Sequence, residues 1–186
     1  MIYDIVMYGN PVLREKAARI SEVDDEIRRL AVDMLDTMRA YHGIGLAAEQ
    51  IGRTESICVV DISPDEASQR EMPALPDSVP MPLVLINPVI VGVEGEETGQ
   101  EGCLSFPEIF VDINRPERIS VNYVDLDNRP ASLEADGLLA RAIQHEVDHL
   151  NGKLIVDRMS PAKKVASSGK LKRMHRQGRK GAVVAR

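Results

Sequence analysis

Residues 145 to 149 read His-Glu-Val-Asp-His, near the end of an apolar-periodic run that starts at Gly137. Side chains four apart share one face of an α-helix, so His145 and His149 can bind one metal ion while Glu146 stands beside them. The chemistry asks for those types at that spacing. Two neutral imidazoles hold a Lewis-acidic ion, and a carboxylate takes a proton from water. The bland alternative is a pair of surface histidines on an amphipathic helix. Against it, the chain has 4 histidines in all, and two of them frame a glutamate in the catalytic slot.

Two histidines leave a catalytic ion one protein ligand short. In one large class of zinc peptidases the third ligand is a histidine six residues past the second, but that position is Ile155. In another it is a glutamate on a following helix, and no glutamate follows Glu146. Cys103, in Glu101-Gly102-Cys103-Leu104-Ser105, then completes a Cys-His-His set with an open fourth position. Taken alone, Cys103 reads as a buried free thiol. Cys58 lies in an apolar run and reads as a small core residue, and free thiols fit a reducing compartment.

The elements that must carry these residues follow from periodicity and stop signals. A helix runs from Gly137 to about Leu150, ended by Asn151-Gly152. Another spans Val23 to Tyr41 with Ser21 as its cap, Ile27, Leu30, Ala31, Met34, Leu35 and Met38 forming its apolar stripe, and ends at a glycine pair. The stretch from His42 to Gln50 alternates glycine with aliphatics; it allows close backbone approach and also reads as a tight connection after a helix. Residues 55–62 form a buried strand, and 82–93 read as strand, bend at Asn87-Pro88, strand. A turn-rich connection covers 95–99, and a hairpin over 118–126 and 131–135 precedes the metal helix. Residues 63–82 read as a long exposed loop, and Ser160-Pro161 opens a final helix.

At 186 residues, with 44% hydrophobic and 28% charged side chains, the chain is sized for one soluble domain. It has no apolar run long enough to span a membrane and no secretory leader pattern, so it is expected to stay in the cytoplasm where it is made. The net charge of −6 hides an asymmetry. Residues 1–157 hold 13 basic and 29 acidic side chains, a net −16, whereas everything after Asp157 contributes ten positive charges and no acid. Such a tail suits contact with a polyanion and equally reads as a solvated, disordered end.

Three stretches in order, Gly-Φ-Gly-Φ-Ala-Ala-x-Gln at 43–50, Glu-Gly-Cys-Φ-Ser at 101–105 and His-Glu-Φ-Asp-His at 145–149 (Φ apolar), resemble the peptide deformylase family with no motif position substituted. The resemblance covers about residues 2 to 165. It implies a compact single-domain α+β fold with β-strands packed around a central metal-binding helix. The catalytic domain would occupy 1–160, and 161–186 would be a basic C-terminal tail, helical at its start. It also implies removal of the formyl group from the N-terminal methionine of nascent polypeptides, with release of formate. Cys103, His145 and His149 are then the ligands of one divalent metal ion, natively Fe(II), with Zn, Ni and Co as substitutes. Glu146 is the general acid/base, and Gln50 with the Leu104 N–H stabilises the oxyanion. Gly43, Ile44, Gly45, Leu138 and Ala142 contact substrate, while Glu101 and Asp148 orient a ligating imidazole or anchor the helix. Arg141 stands where some relatives carry an aliphatic residue, and Phe110 where some carry an arginine near substrate. Because some deformylases dock on the ribosome through a C-terminal extension, the tail is expected to do so here, with its removal sparing turnover. Two rivals remain: a zinc endopeptidase built on the same helix, and a ribosome- or RNA-binding factor with a structural metal.

Overall fold

The computed structural model describes residues 1–63 and 79–185. The chain opens with a short strand β1 (Ile5–Val6) and a 3₁₀ turn at Pro11–Arg14. Helix α1 (Asp25–Ala40) is capped by Asp24, whose carboxylate accepts from the Ile27 N–H, rather than by Ser21. Its first turn carries Asp25 and Glu26 at the positive end of the dipole. The left-handed residue that ends it is His42 (φ 55°), not one of the glycines that follow.

The glycine-alternating stretch does both jobs read for it: the Gly43 N–H bonds the Met38 carbonyl at 2.9 Å and closes α1, and from Gly45 the chain is strand β2 (Gly45–Ala47), running straight into a 3₁₀ turn at Ala48–Ile51. Strand β3 (Ile57–Val60) is buried at every position. Ile57 and Val59 face α1, and Cys58 and Val60 face the opposite layer, which explains a continuous apolar run in place of alternation. The expected loop at 63–82 falls mostly on residues outside those described. Strand β4 (Leu83–Glu94) runs through Asn87-Pro88 instead of breaking there. Its pairing slips between Ile86 and Val89, and the extra residue is absorbed by Asn87 at φ 51°, whose side chain is bonded to both backbone groups of Ile20.

Of the connection expected at 95–99 only Gly95 (φ 65°) and Glu96 turn the chain; residues 97–99 begin strand β5 (Glu97–Gly102), paired with β6 (Phe110–Arg115) as a separate two-stranded hairpin. Strands β7 (Arg118–Val124) and β8 (Pro130–Asp136) form the second hairpin and lead into α2 (Gly137–Leu150). The five-stranded antiparallel sheet has the order β2-β3-β4-β7-β8. Helix α2 lies on one face, where Leu139, Ala142 and Ile143 meet Leu85, Val60 and Val121. Helix α1 covers the other, where Met34 and Met38 meet Leu46, Ile57 and Ile86. This is an α+β fold with the histidine-bearing helix at its centre.

After a short turn of helix α3 (Ile155–Arg158), Ser160 caps α4 (Pro161–Ala166), which leads to α5 (Ser168–Gly178) and strand β9 (Val183–Val184). Strand β9 pairs antiparallel with β1, Met174 is buried beside Leu13 and Phe106, and Lys170 bonds Glu108 at 2.8 Å. The last segment therefore carries part of the packing around the N-terminus, and removing it would expose that apolar surface.

Candidate metal centre

Helix α2 presents His145 and His149 one turn apart, with ring centroids 5.1 Å from each other. Cys103 arrives from the turn that follows β5. That turn is tied down by the Phe106 N–H on the Cys103 carbonyl and by the Tyr8 N–H on the Ser105 carbonyl, both at 2.9 Å. The donor atoms of Cys103, His145 and His149 all lie within 4.8 Å of one another, and Cys103 Sγ is 3.3 Å from His149 Nε2. Two ligands of one tetrahedral ion, each about 2.0–2.3 Å from it, sit about 3.5 Å apart. The closest pair already has that spacing.

A layer of charged groups orients His145 and ties down α2, whereas His149 Nδ1 meets no partner among the described residues. His145 Nδ1 is 3.0 Å from Glu101 Oε2, which fixes the proton on Nδ1 and leaves Nε2 for an ion. Arg115, 2% exposed, grips Glu101 through Nε (2.6 Å) and Nη2 (2.9 Å) and donates Nη1 to Asp148 at 2.8 Å. Arg158 Nη2 donates to Asp148 from the other side at 2.6 Å. Burial opposes ionisation of Glu101, yet the bonds from His145 and Arg115 win and hold its carboxyl down at about 2. Burial, helped by the Arg115 charge, pushes His149 well below the usual histidine range, which keeps it neutral as ligation requires.

Glu146 is buried against Gly45 of β2. A Cβ on that glycine would lie 2.3 Å from Glu146 Oε1, so no other residue fits there. Among the described residues Glu146 Oε2 has no partner. Burial raises its carboxyl to about 7, partly opposed by His145 and Arg115. A group balanced there can take and return a proton near neutral pH. Gln50 places Oε1 on the Ala47 N–H at 2.9 Å and aims its amide Nε2 at Cys103 Sγ, 3.5 Å away. Among the described residues no acceptor takes the Leu104 N–H. Gly43 and Ile44 lead into β2, whose outer edge pairs with no described strand. Ala142 is in the core, with Ile44 and Leu138 packed against the same cluster. A cleft of about 480 Å³ opens at the start of α2; of the five expected substrate contacts Leu138 alone lines it, and none of the three possible metal ligands does. Phe110 is 58% exposed and stacks over Gly102, directly before Cys103.

A family model described as polypeptide deformylase matches residues 2–165. The chain belongs to the polypeptide deformylase family. Peptide deformylase of Alkalilimnicola ehrlichii is 48% identical over 178 residues, covering 96% of this chain and 93% of that protein. That of Methylacidiphilum infernorum is 43% identical over 180 residues, 95% of this chain and 94% of the other. Among solved structures, the Thermus thermophilus peptide deformylase superposes with a TM-score of 0.80 at 39% identity, over 96% of this chain and all of its own (100%). The Synechococcus elongatus peptide deformylase in complex with actinonin gives 0.78 at 45% identity, over 90% and 87%.

Deformylases use a divalent metal, and the residues here fit one. A thiol and two imidazoles converge, one imidazole is held neutral and the other is turned by Glu101. Arg115, Arg158 and Glu49 escaped the sequence reading. Arg115 shares the inward side of β6 with Val111 and Ile113, and a charged residue at that third alternate position was the available sign. Glu49, inside the first motif, is fully buried, and among the described residues neither of its oxygens has a partner. Nothing in its spacing signals that.

Proposed function

We propose that this chain hydrolyses the N-formyl amide of N-terminal formylmethionine on nascent polypeptides, releasing formate and a free amine. The observation that carries the reading is the buried Glu146 carboxyl, one oxygen unpartnered, beside the converged Cys103, His145 and His149 donors. Those three residues hold one divalent ion, natively Fe(II), with Zn, Ni or Co able to substitute because one thiolate and two imidazoles suit all four. When bound, the ion supplies Lewis acidity and makes water a nucleophile near neutral pH.

Glu146 takes the proton from the attacking water and delivers it to the departing amine nitrogen. The Gln50 amide and the Leu104 N–H stabilise the negative oxygen that develops on the formyl carbon. The free edge of β2, through Gly43 and Gly45, receives the peptide backbone as an added strand, while Ile44, Leu138 and Ala142 meet the methionine side chain. Anaerobic assay of the Fe(II)-loaded protein on formyl-Met-Ala-Ser is expected to release formate and free amine in equal amounts. Cys103→Ala is expected to abolish both and to lose the metal. Amide cleavage inside a peptide without formate would instead identify an endopeptidase.

The enzyme works in the cytoplasm and meets the ribosome through its basic end. Lys163, Lys164, Lys172, Arg173 and Arg176 are all exposed on α4 and α5. Because the same segment packs on the N-terminus, charge reversal tests the contact better than truncation. Lys172→Glu/Arg173→Glu/Arg176→Glu is expected to weaken ribosome co-sedimentation at least tenfold at low salt and to leave short-peptide turnover unchanged. Co-sedimentation that ignores both the substitutions and added salt would rule the surface out.

A further inference from the structure

Arg141 lies one helical turn before His145 on α2 and is only 7% exposed. Its guanidinium reaches across to the β5–β6 hairpin. Nη1 donates to Glu101 Oε1 and to the Ile113 carbonyl, both at 2.9 Å, and Nη2 donates to the Glu97 carbonyl at 2.8 Å. The hairpin is shaped to receive it: a Cβ on Gly99 would lie 2.9 Å from Arg141 Cζ and 3.0 Å from Nε. Any side chain at 99 would expel the guanidinium. Glu101 thus has two guanidinium contacts on Oε1, from Arg115 and Arg141, while Oε2 serves Arg115 and His145.

A buried cation with this many fixed donors does more than fill space. Arg115 alone would let the carboxylate pivot about its bidentate axis, because both oxygens meet one planar fork. The second guanidinium meets Oε1 from α2 itself, the helix that carries His145. Glu101 Oε2 then has one direction left to face, toward His145 Nδ1. Through the carbonyls of Glu97 on β5 and Ile113 on β6, the same side chain also sets the height of the hairpin against α2. Cys103 is the first residue of the turn that joins the two strands of that hairpin.

We propose that Arg141 is a positioning residue of the metal centre, its fork locking Glu101 and the β5–β6 hairpin onto α2 so that Cys103 and His145 meet one ion. The inference rests on the reading of Cys103 and His145 as metal ligands. It separates from a packing role because leucine at 141 together with valine at 99 would refill the space without restoring a single donor. Arg141→Lys is the milder probe, since it keeps the charge and loses the planar fork.

The test uses the full-length protein loaded with Co(II), read by its thiolate-to-cobalt absorption and by the rate at which a chelator strips the ion. In Gly99→Val/Arg141→Leu, cobalt is expected to leave at least tenfold faster with a shifted absorption band, while the melting temperature stays close to that of the unmodified protein. Arg141→Lys is expected to release cobalt several-fold faster. Release at the unmodified rate in Arg141→Lys, or in a double variant that melts normally, would overturn the proposal. If the double variant does not fold, Arg141→Lys alone decides. A thiolate band that is absent from the unmodified protein, or survives in Cys103→Ala, would instead reject the ligand reading.

Discussion

Glu146→Gln is expected to keep a full complement of metal and to lower kcat on formyl-Met-Ala-Ser by about 10²–10⁴-fold, or about 3–5.5 kcal/mol of transition-state stabilisation. Glutamine has the shape of glutamate, so it fits the space that Gly45 leaves open, with Oε1 in the place where a Cβ would lie 2.3 Å away. It cannot accept a proton. Burial sets Glu146 at about 7, where a carboxyl changes state easily in either direction, and its unpartnered Oε2 is available to a reacting molecule. Glutamine is the better probe than alanine, which would open a void beside His145 and confound proton transfer with ligand movement. The check is kcat together with metal content per chain. A metal-replete Glu146→Gln protein within tenfold of the unmodified rate would remove Glu146 from proton transfer.

The parts of the fold legible in the sequence were those whose cause is local. Helix α2 was read at its observed start, Gly137, and its observed end, Leu150, because a 3.6-residue apolar period is stopped there by Asn151-Gly152. Helix α1 was legible except for its cap, since Ser21, Asp24 and Asp25 all offer an oxygen and only the tertiary path selects Asp24. Strand β4 was misread at Asn87-Pro88. The bend is absorbed by a bulge whose polar groups are satisfied by Ile20 and by the Ser56 carbonyl, partners far away in the chain. Strand β5, Glu-Thr-Gly-Gln-Glu-Gly, carries no apolar alternation because what it covers is the Arg141 guanidinium rather than a hydrophobic layer.

The convergence of Cys103 on His145 and His149 had been expected by chemical elimination: two histidines at helical spacing demand a further donor, and Cys103 was the one left in a suitable setting. The charged groups around it did not yield. Glu101 meets Arg115, Arg141 and His145 across 14, 40 and 44 residues, so no window along the sequence contains the network. Its existence follows from burial, because a guanidinium as deep as Arg115 is tolerated only with paired carboxylates. The alternation of Val111, Ile113 and Arg115 along β6 carried that hint, but the strand was not read from the sequence and Arg115 was missed with it.

Glu49→Gln is expected to stabilise the protein at pH 8 by several kcal/mol and at pH 4.5 hardly at all. Burial, with a contribution from the Glu146 charge, lifts the Glu49 carboxyl from its ordinary 4.5 to about 8 in the folded chain. Between those values the folded state binds a proton that the unfolded state has released, so stability falls as pH rises through the window and levels off above it. At about 1.36 kcal/mol per pH unit the full cost approaches roughly 5 kcal/mol, an upper bound that any water reaching the unpartnered oxygens reduces. Glutamine is neutral throughout and lacks that slope, although its amide meets the same lack of partners that both Glu49 oxygens face. Chemical denaturation of both proteins, each loaded with the same metal, at a series of pH values from 4.5 to 8.5 reads the difference directly. A gap that stays constant across the series would mean that Glu49 is ionised in the folded protein and finds a partner there. A gap that opens between 4.5 and 8 assigns the cost to a buried carboxyl directly preceding Gln50, where its charge bears on Glu146.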